Sequence, residues 1–336
     1  MPLAEIGEFG FIAQIRKQFS TSQAFVSLGI GDDAAAFKPG RGIYGLLTTD
    51  TLISGTHFSR NYSSFEQVGM KAVAVNLSDI AAMGGRPRAF LISLGIPDDM
   101  ALPDLKQLYR GIAKAGRAAN IALIGGNTTC TQGPFFISIT LYGEVVKNQM
   151  IRRSGAKPGD AIYVTGTLGD AAAGLDCLKK GRAIRGNTAL IRRHRLPKAR
   201  TVEGPIIVRA GASSMIDLSD GLTADLNHVL IQSGVGAALD LSRIPLSPAL
   251  KRYAKQNKVS ALDFALYGGE DYELLFSVPE NKEKKLKHLI KTGRIQATRI
   301  GTILLKREGM RIRAADGSTR KIVPKGYDHF STGRRT

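Results

Sequence analysis

The chain has 336 residues, a formal net charge of +19, 43% hydrophobic and 22% charged residues. This length allows two domains with separate cores, and the composition is that of a globular protein rather than a disordered one. No apolar run approaches the roughly 20 residues of a membrane helix, and the N-terminus lacks the pattern of a signal peptide. Cys130 and Cys177 form no CxxC motif, which predicts neither a disulfide framework nor a zinc site. We therefore expect a cytoplasmic protein without a membrane partner.

Strands and helices are interspersed in the first half of the chain. Apolar runs predict strands over 25–30, 44–49, 90–95, 121–124 and 135–145. One helix is predicted over 65–83, where Ser63 or Ser64 can cap the start and Gly84-Gly85 ends it, and another over 102–119. These elements indicate an α/β or α+β domain over 1–148.

A Pro- and Gly-containing loop at 152–160 then separates a second group of elements. Strands are predicted over 161–165, 214–218, 237–241, 272–278 and 299–304, with a helix over 168–178. The Arg-rich segment 181–200 is expected to be surface helix and loop. We expect an α+β domain over 149–330, followed by a frayed tail over 331–336.

The positive charge is concentrated in the second half. Residues 1–150 carry a net charge of +2, and residues 151–336 carry +17. A basic half of this kind can bind nucleic acid, which is one alternative function. However, the basic residues are scattered, aromatic residues that could stack on bases are not interleaved with them, and tryptophan is absent. A solvated basic surface without specific nucleic-acid binding is the favoured interpretation.

Carboxylates recur in short segments rich in Gly, Ser or Thr. The segments are Gly29-Ile-Gly-Asp32-Asp33, Thr48-Thr49-Asp50, Asn76-Leu-Ser-Asp79, Asp217-Leu-Ser-Asp220 and Gly268-Gly-Glu270-Asp271. Unpaired carboxylates beside apolar strands are costly to bury unless a cation joins them. Mg²⁺ prefers oxygen ligands and is commonly bound together with phosphate. The pattern predicts an enzyme that binds metal and nucleotide.

Each of these segments also has a purely structural interpretation. Asp32 and Asp33 can belong to an ordinary Asp-rich turn, and Asp220 can be a helix N-cap. Asp79 is more informative because it lies deep in a predicted apolar helix, eight residues after Lys71 and too far for helical pairing. Asp217 and Asp220 can face one pocket. Five such segments together favour a metal site.

Motifs for other phosphate-binding and covalent designs are absent. The chain contains no Walker A or protein-kinase signature, and nothing supports a covalent nucleophile. The stretch from Gly125 to Thr129 can approach a nucleotide closely or form a plain turn. His57 is either an exposed loop residue or a phosphate contact.

Taken together and in order, these segments resemble the thiamine-monophosphate kinase family. The resemblance also includes Lys71 to Gly84, Ser154-Gly-Ala-Lys-Pro-Gly-Asp160, Tyr267 to Glu273 and the ending Lys325-Gly-Tyr-Asp-His-Phe330. Single motifs are shared with a superfamily that includes aminoimidazole ribonucleotide synthetase, selenophosphate synthetase and a hydrogenase-maturation protein. The combination is specific to the kinase family, and it extends from about residue 7 to residue 330.

The resemblance implies a fold, an activity and a set of site residues. It implies a two-domain aminoimidazole ribonucleotide synthetase-like architecture, a homodimer formed through the N-terminal sheets, and transfer of phosphate from ATP to thiamine monophosphate with several Mg²⁺ ions. The implied metal-site residues are Asp32, Asp33, Thr48, Thr49, Asp50, Asp79, Asn127, Asp217 and Asp220. The implied ATP contacts are Tyr109, Gly125, Gly126, Asn127, Arg153 and Ser219, and the implied substrate contacts are His57, Glu270 and Tyr327. Arg153, Asp217 and Asp220 are the residues implied to act directly in catalysis.

Another ATP-using member of the superfamily is the nearest alternative. Selenophosphate synthetase is expected to have a reactive cysteine near its first glycine loop, whereas the first cysteine here is Cys130. The hydrogenase-maturation protein is expected to have a C-terminal cysteine tail, which this chain lacks. An enzyme like the purine-pathway synthetase remains an alternative, but the ending from Lys325 to Phe330 does not favour it.

One departure from the family pattern gives a first prediction. Asn127 stands where the family usually has Asp, and an amide oxygen can bind Mg²⁺ without contributing charge. We expect Asn127→Asp to lower the Mg²⁺ concentration that half-saturates turnover, because it adds a negative charge at one metal position. A Mg²⁺ titration of turnover in both proteins measures this, and an unchanged half-saturation would contradict the prediction.

Overall fold

The computed structural model describes residues 3–18, 24–40, 42–181, 187–314 and 316–330. The predicted tail over 331–336 therefore lies outside the described residues. Among the described helices, none combines the length and the apolar character required to cross a membrane. Cys130 is exposed and Cys177 is buried, and both are free thiols.

The N-terminal part contains a six-stranded sheet. Its strands are β1 (Val26–Leu28), β2 (Ala35–Gly40), β3 (Ile43–Ile53), β4 (Arg86–Ile96), β5 (Ala122–Cys130) and β6 (Phe136–Val146). They lie in the order β1-β2-β3-β6-β4-β5. Neighbouring strands are antiparallel except β4 and β5, which are parallel. A parallel pair requires a long crossover, and a helix between the two strands provides it.

Three helices precede or cross this sheet. They are α1 (Leu3–Gln18), which is kinked at Gly7, α2 (Phe65–Ala82) and α3 (Leu102–Ala119). Ser64 and Gln67 form a capping box at the start of α2, which confirms one of the two predicted caps. Helices α2 and α3 pack closely because Gly69 and Gly111 leave no side chain between them.

Strand alternation gives this sheet one covered and one open face. In β3, Tyr44, Leu46 and Leu52 are buried on the face that packs against α2. Ile43 and Leu47 on the other face are 41% and 42% exposed. The same alternation runs through β6, and β5 is exposed along its whole length. In the single chain, the open face is therefore a broad, exposed and partly apolar surface.

The C-terminal part contains a seven-stranded sheet. Its strands are β7 (Ala161–Thr165), β8 (Ser214–Asp217), β9 (Val235–Asp240), β10 (Leu274–Val278), β11 (Ala297–Leu305), β12 (Met310–Arg313) and β13 (Thr319–Lys321). The order is β13-β12-β9-β11-β7-β10-β8. Strands β7, β8 and β10 are buried at every position, because separate hydrophobic clusters cover the two faces of the sheet.

Within the described ranges, seven further helices surround the second sheet. They are α4 (Asp170–Lys179), α5 (Thr188–Arg195), α6 (Glu203–Ala210), α7 (Leu222–Ser233), α8 (Pro248–Asn257), α9 (Ala261–Tyr267) and α10 (Glu280–Lys291). Short 3₁₀ turns occur at Lys147–Gln149, Leu241–Arg243 and Lys306–Glu308. Helix α2 also contacts this part of the chain. Ala82 belongs to one of the two hydrophobic clusters that cover the second sheet, and Gly204 packs against Ala81. Helix α2 therefore lies between the two sheets.

Most predicted elements are confirmed, with two corrections. Strand β5 continues through Gly125, Gly126 and Asn127 to Cys130, so this stretch is not a turn. The ladder with β4 provides the hydrogen bonds that a turn would have made. In the segment predicted to be surface helix and loop, Leu190 and Ile191 of α5 are buried against α4 and α8. Periodicity missed α1, β2 and several C-terminal helices.

The close contact of α2 and α3 predicts a stability effect of unusual sign. Gly→Ala in an exposed helix stabilises by about 1 kcal/mol through helix propensity. At Gly111 a Cβ would overlap the Glu66 carbonyl, so we expect Gly111→Ala to destabilise by about 1–3 kcal/mol. Urea unfolding measures the change, with Ala113→Ser on the exposed face of α3 as the control. Greater stability of Gly111→Ala would contradict the packing argument.

Candidate active site

Helix α2 and strand β3 bring the first polar residues of the site together. Thr48 and Asp50 follow Leu46 on the face of β3 that packs against α2. Thr48 Oγ1 donates a hydrogen bond to Asp79 Oδ2 at 2.5 Å. The Asp50 amide donates to Asn76 Oδ1 at 3.1 Å, and Asn76 in turn donates to the Ala72 carbonyl. Hydrogen bonds between polar groups therefore connect β3 to α2 at the edge of the N-terminal hydrophobic core.

Three carboxylates converge at this boundary. Oxygen atoms of Asp33, Asp79 and Asp217 all lie within 4.8 Å of one another. Asp33 comes from the loop after β1, Asp79 from α2, and Asp217 from the end of β8. Ser78 Oγ donates to Asp217 Oδ2 at 2.6 Å across the junction of the two sheets. This acidic triad, Asp33, Asp79 and Asp217, joins residues that are widely separated in the sequence.

The electrostatics of the triad are unfavourable without a cation. Burial raises the pKa of Asp79 well above its ordinary value, and the charges of Asp50, Asp217 and Asp33 raise it further. Burial and Asp33 likewise raise the pKa of Asp217 to about 8. Burial also raises the pKa of Asp33 and of Asp50. The site therefore favours either protons or a bound cation on these oxygens.

Arg153 supplies positive charge at one side of the triad. Its Nη2 and Nε donate to Asp33 Oδ1 at 2.6 and 3.1 Å, and its amide donates to both oxygens of Asp32. Burial first, and then the charge of Asp33, raise the pKa of Asp32 to about 7. The pairing of Arg153 with an aspartate is not indicated by any local sequence pattern. Asp33 Oδ2 is buried and makes no hydrogen bond within the described chain.

These observations meet the requirements of a divalent metal site. The donors are hard carboxylate oxygens, they converge, and a buried oxygen of Asp33 is left without a partner. The one guanidinium in contact with this group of described residues does not neutralise all of the carboxylates. The residues present therefore fit the Mg²⁺ ions that the resemblance implies.

The loop after β8 lies beside the triad. Ser219 and Asp220 are half-buried, and burial together with Glu8 raises the pKa of Asp220 to about 7. Asp220 is not the N-cap of α7; that position is Gly221, and no side chain caps the helix there. Instead, Asp225 accepts hydrogen bonds from the amides of Asp220 and Gly221 at 3.1 and 3.0 Å. Asp225 thus fixes the backbone that presents Asp220.

The predicted substrate contacts His57, Glu270 and Tyr327 lie near one another in a second part of the site. Lys71 forms an ion pair with Glu270 and donates to the His57 carbonyl at 3.3 Å. His57 and His329 have ring centroids 5.1 Å apart, and Tyr327 packs edge-on against His329 at 4.8 Å. The Tyr327 amide donates to the Asp220 carbonyl at 3.0 Å. The chain segment that contains Tyr327 therefore closes over the loop that carries Asp220.

His57 is uncharged at neutral pH. Burial first, and then the neighbouring His329, lower the pKa of His57 to about 4. Its Nδ1 accepts a hydrogen bond from the Ile53 amide at 3.0 Å, so the ring proton is placed on Nε2. His57 is therefore a neutral donor rather than a cation or an exposed loop residue.

Comparison with known proteins identifies the family. Residues 31–145 match the AIR synthase related protein N-terminal domain, and residues 157–312 match the C-terminal domain of the same family. The chain is 40% identical over 330 residues to thiamine-monophosphate kinase of Escherichia coli, covering 97% of this chain and 99% of that protein. It is 37% identical over 332 residues to thiamine-monophosphate kinase of Aquifex aeolicus, covering 98% and 100%. The chain belongs to this kinase family.

A solved structure agrees in its fold. The structure described as AaThiL complexed with AMPPCP and TMP has a TM-score of 0.87 and 36% identity, and the match covers 98% of this chain and 99% of that chain. The two-domain architecture expected from the sequence is thus confirmed.

Some residues implied by the family resemblance do not reach the triad within one chain. The Thr49 side chain lies on the open face of the sheet beside Ser138 and Thr140, opposite to Thr48 and Asp50. Asn127 pairs with Ser93 of β4, so β4 and β6 separate it from β3. Three strand spacings amount to about 14 Å.

The nucleotide contacts implied by the family resemblance are also dispersed. Gly125 and Gly126 lie beside Asn127 on the exposed strand β5. Tyr109 lies on the exposed face of α3, in an open groove of about 680 Å³. Lys106, Arg110, Lys114 and Arg117 line that groove, and none of them belongs to the triad.

Sequence reasoning missed five residues that hold the site together. They are Lys71, Asn76, Ser78, His194 and Asp225. Asn76 and Ser78 were inside a motif that had been singled out, so their position beside Asp79 was an available signal. Lys71 begins the same motif, but its pairing with Glu270 is not indicated by the sequence, and His194 lies in none of the quoted motifs.

The raised pKa values predict a pH-dependent stability effect. A carboxyl whose pKa is raised from 3.8 to about 8 on folding destabilises the metal-free fold progressively as pH rises between these values. We therefore expect Asp217→Asn to raise Tm in the presence of a chelator, and to raise it more at pH 8 than at pH 5. Added Mg²⁺ should raise the Tm of the original protein more than that of the variant.

Differential scanning calorimetry at both pH values measures these shifts. Asp99→Asn, at an exposed loop position, is the matched control. A lower Tm for Asp217→Asn at pH 8 in chelator would contradict the account of the triad.

Proposed function

We infer that this protein is an ATP-dependent kinase that converts thiamine monophosphate to thiamine diphosphate. The observation that carries this inference is the acidic triad at the junction of the two sheets, within a fold shared over nearly its whole length with named thiamine-monophosphate kinases. A related structure is described with both AMPPCP and TMP, an ATP analogue and the proposed acceptor. The enzyme class is therefore a phosphotransferase with a phosphate group as acceptor.

We propose that Asp33, Asp79 and Asp217 hold Mg²⁺, with Asp32, Thr48, Asp50 and Asp220 completing the sites. Thr48 and Ser78 orient Asp79 and Asp217 through hydrogen bonds, and the Arg153 side chain orients Asp33. When bound, Mg²⁺ supplies positive charge between two anionic phosphates, whose repulsion is the main obstacle to the reaction. Thr49 can contribute only its backbone carbonyl from its position on β3.

The reaction needs no strong general base. An oxygen of the acceptor phosphate attacks the γ-phosphorus of ATP, a new P–O bond forms, and the bond to the β,γ-bridging oxygen breaks to release ADP. The acceptor oxygen is mostly ionised near neutral pH, because the second phosphate pKa is about 6. Arg153 is already oriented by Asp33, and we propose that it contacts the transferring phosphate. Asp217 and Asp220 act by binding cations rather than by transferring protons.

Helix α2 sets the direction of the substrate in the cleft. Lys71 and Asp79 are eight residues apart on this helix, which corresponds to about 12 Å. We propose that the phosphate of thiamine monophosphate lies at the Asp79 end, and that its rings lie near His57, Glu270 and Tyr327 at the Lys71 end. The ring groups at that end, His57 (half-buried) with Tyr327 and His329 (both exposed), are suited to a molecule with two aromatic rings.

We propose that the enzyme is a homodimer formed through the open faces of its N-terminal sheets. The open face of each sheet exposes Ile43, Leu47 and Leu91 beside the polar residues Thr49 and Thr51. An exposed apolar face of this extent is typical of an interaction surface. The separation of Gly125, Gly126, Asn127 and Tyr109 from the triad supports an ATP site completed by the second copy. Ser219, on the loop beside the triad, is proposed as an ATP contact within the same chain.

The domain boundary and the location in the cell also remain proposals. We place the boundary between residues 148 and 149, after the last strand of the first sheet, and propose a cytoplasmic enzyme. A nucleic-acid-binding protein is the less favoured function, because the triad, rather than a basic surface, is the feature that the fold assembles. Another ATP-using activity of the superfamily is the remaining alternative.

Steady-state assays test the function. Mg²⁺-dependent ADP release should require thiamine monophosphate and should not occur with other phosphorylated acceptors. We expect Asp79→Asn and Asp217→Asn each to lower turnover by more than about tenfold, a loss of at least ~1.4 kcal/mol of transition-state stabilisation. Near-normal rates in both variants at saturating Mg²⁺ would remove the metal assignment, and turnover with another acceptor alone would identify a different kinase.

A further inference from the structure

Glu270 occupies a backbone conformation that is unusual for a residue with a side chain. Its φ is 68°, and that of Tyr272 is 50°. Such left-handed conformations cost energy and persist where the surroundings fix them. The Glu270 and Tyr272 amides donate to the carbonyls of Ser219 and Leu218, each at 2.8 Å. Asp271 accepts from the Gly169 amide at 2.6 Å, which anchors the same loop to the start of α4.

The Glu270 side chain is held from two directions. Lys71 of α2 approaches one oxygen, and His194 Nδ1 of α5 lies 3.0 Å from the other. Lys71 and His194 are each only 3% exposed at the side chain, whereas Glu270 is 24% exposed. Lys71 and His194, which are buried and lie on separate helices, therefore fix the position of the partly exposed Glu270 carboxylate.

The charges of this group determine what Glu270 can recognise. Burial alone would raise the pKa of Glu270, but the charge of Lys71 and the contact with His194 lower it to about 2. Burial lowers the pKa of His194, which leaves its ring neutral. Because Lys71 offsets the charge of Glu270, the carboxylate is suited to accept hydrogen bonds rather than to attract a cation from a distance.

The His194 contact is close but not aligned. Its Nδ1 is buried and has no hydrogen bond of good geometry within the described chain, although Glu270 lies 3.0 Å away. A buried nitrogen left without a hydrogen bond is costly. Catalytic hydrogen bonds are often poorly aligned without substrate and become shorter when it binds. A small rotation of the Glu270 side chain upon substrate binding would complete this bond.

We propose that Lys71 and His194 are positioning residues that orient Glu270 toward hydrogen-bond donors on the ring portion of the substrate. This proposal rests on the proposed function, since it assigns a role within the same cleft. Their partner Glu270 lies beside helix α2, near the part of the helix that is remote from Asp79. Loss of either residue is therefore expected to weaken acceptor binding and to leave ATP binding unchanged.

Kinetics of paired variants test the proposal. We expect His194→Ala and Lys71→Met to raise KM for thiamine monophosphate by about tenfold, with KM for ATP and kcat changed less than about twofold. His194→Asn and Lys71→Arg keep a donor at each position and should restore much of the loss. His288→Ala and Lys284→Met, at exposed positions of α10, are the matched controls. Equal increases in both KM values, or no recovery in the conservative variants, would overturn the proposal.

A double-mutant cycle and a spectrum test the proposal further, and the spectrum does not depend on the identity of the substrate. In a Glu270→Gln background, His194→Ala should add little to the KM effect, because the group it orients is already altered. Additive effects would overturn the proposal. Long-range ¹H–¹⁵N spectra should show His194 as the neutral Nδ1–H tautomer and should change with Glu270→Gln. An Nε2–H tautomer would overturn the proposal even if thiamine monophosphate proved not to be the acceptor, a result that would refute the proposed function alone.

Discussion

Repulsion among buried carboxylates is the constraint on which this structure depends. Asp33, Asp79 and Asp217 bring oxygens within 4.8 Å of one another in a place where water screens them poorly. Three different elements must meet for this to happen, and α2 lies between the two sheets so that they do. The arrangement is unfavourable for the metal-free chain and favourable for a chain that binds divalent cations. Function is therefore maintained at the expense of stability at this junction.

Uncharged hydrogen-bonding groups keep the triad ordered despite that repulsion. Thr48, Ser78 and Asn76 satisfy oxygens and amides around the carboxylates without cancelling their charge. A lysine in their place would neutralise the site and compete with metal. Arg153 is the exception: it pairs with Asp33, and it is the residue that we propose to contact phosphate. The balance of neutral and charged partners leaves these oxygens available to a proton or to a divalent cation.

The opposite end of α2 follows a different electrostatic rule. There Lys71 neutralises Glu270, and His57 and His194 are uncharged rings. One helix thus connects a region of uncompensated negative charge to a region of compensated charge and aromatic rings. A substrate with a phosphate at one end and rings at the other would match this arrangement with Mg²⁺ bound at the carboxylates. The single-chain structure leaves the open face of the first sheet available for the contact through which we propose that two copies associate.

The sequence by itself determined the two-domain class, most strands and the identity of the acidic segments. Those segments are readable because strand alternation, glycine punctuation and an aspartate inside the apolar helix α2 are local patterns. Only the tertiary structure decided which carboxylates meet, because the separation of Asp33, Asp79 and Asp217 along the chain contains no information on distance. It also decided that Thr49 faces away from the triad, that Asn127 lies three strands from Asp50, and that Lys71 and His194 share Glu270. These results depend on sheet order and on packing between domains, which local residue patterns do not encode.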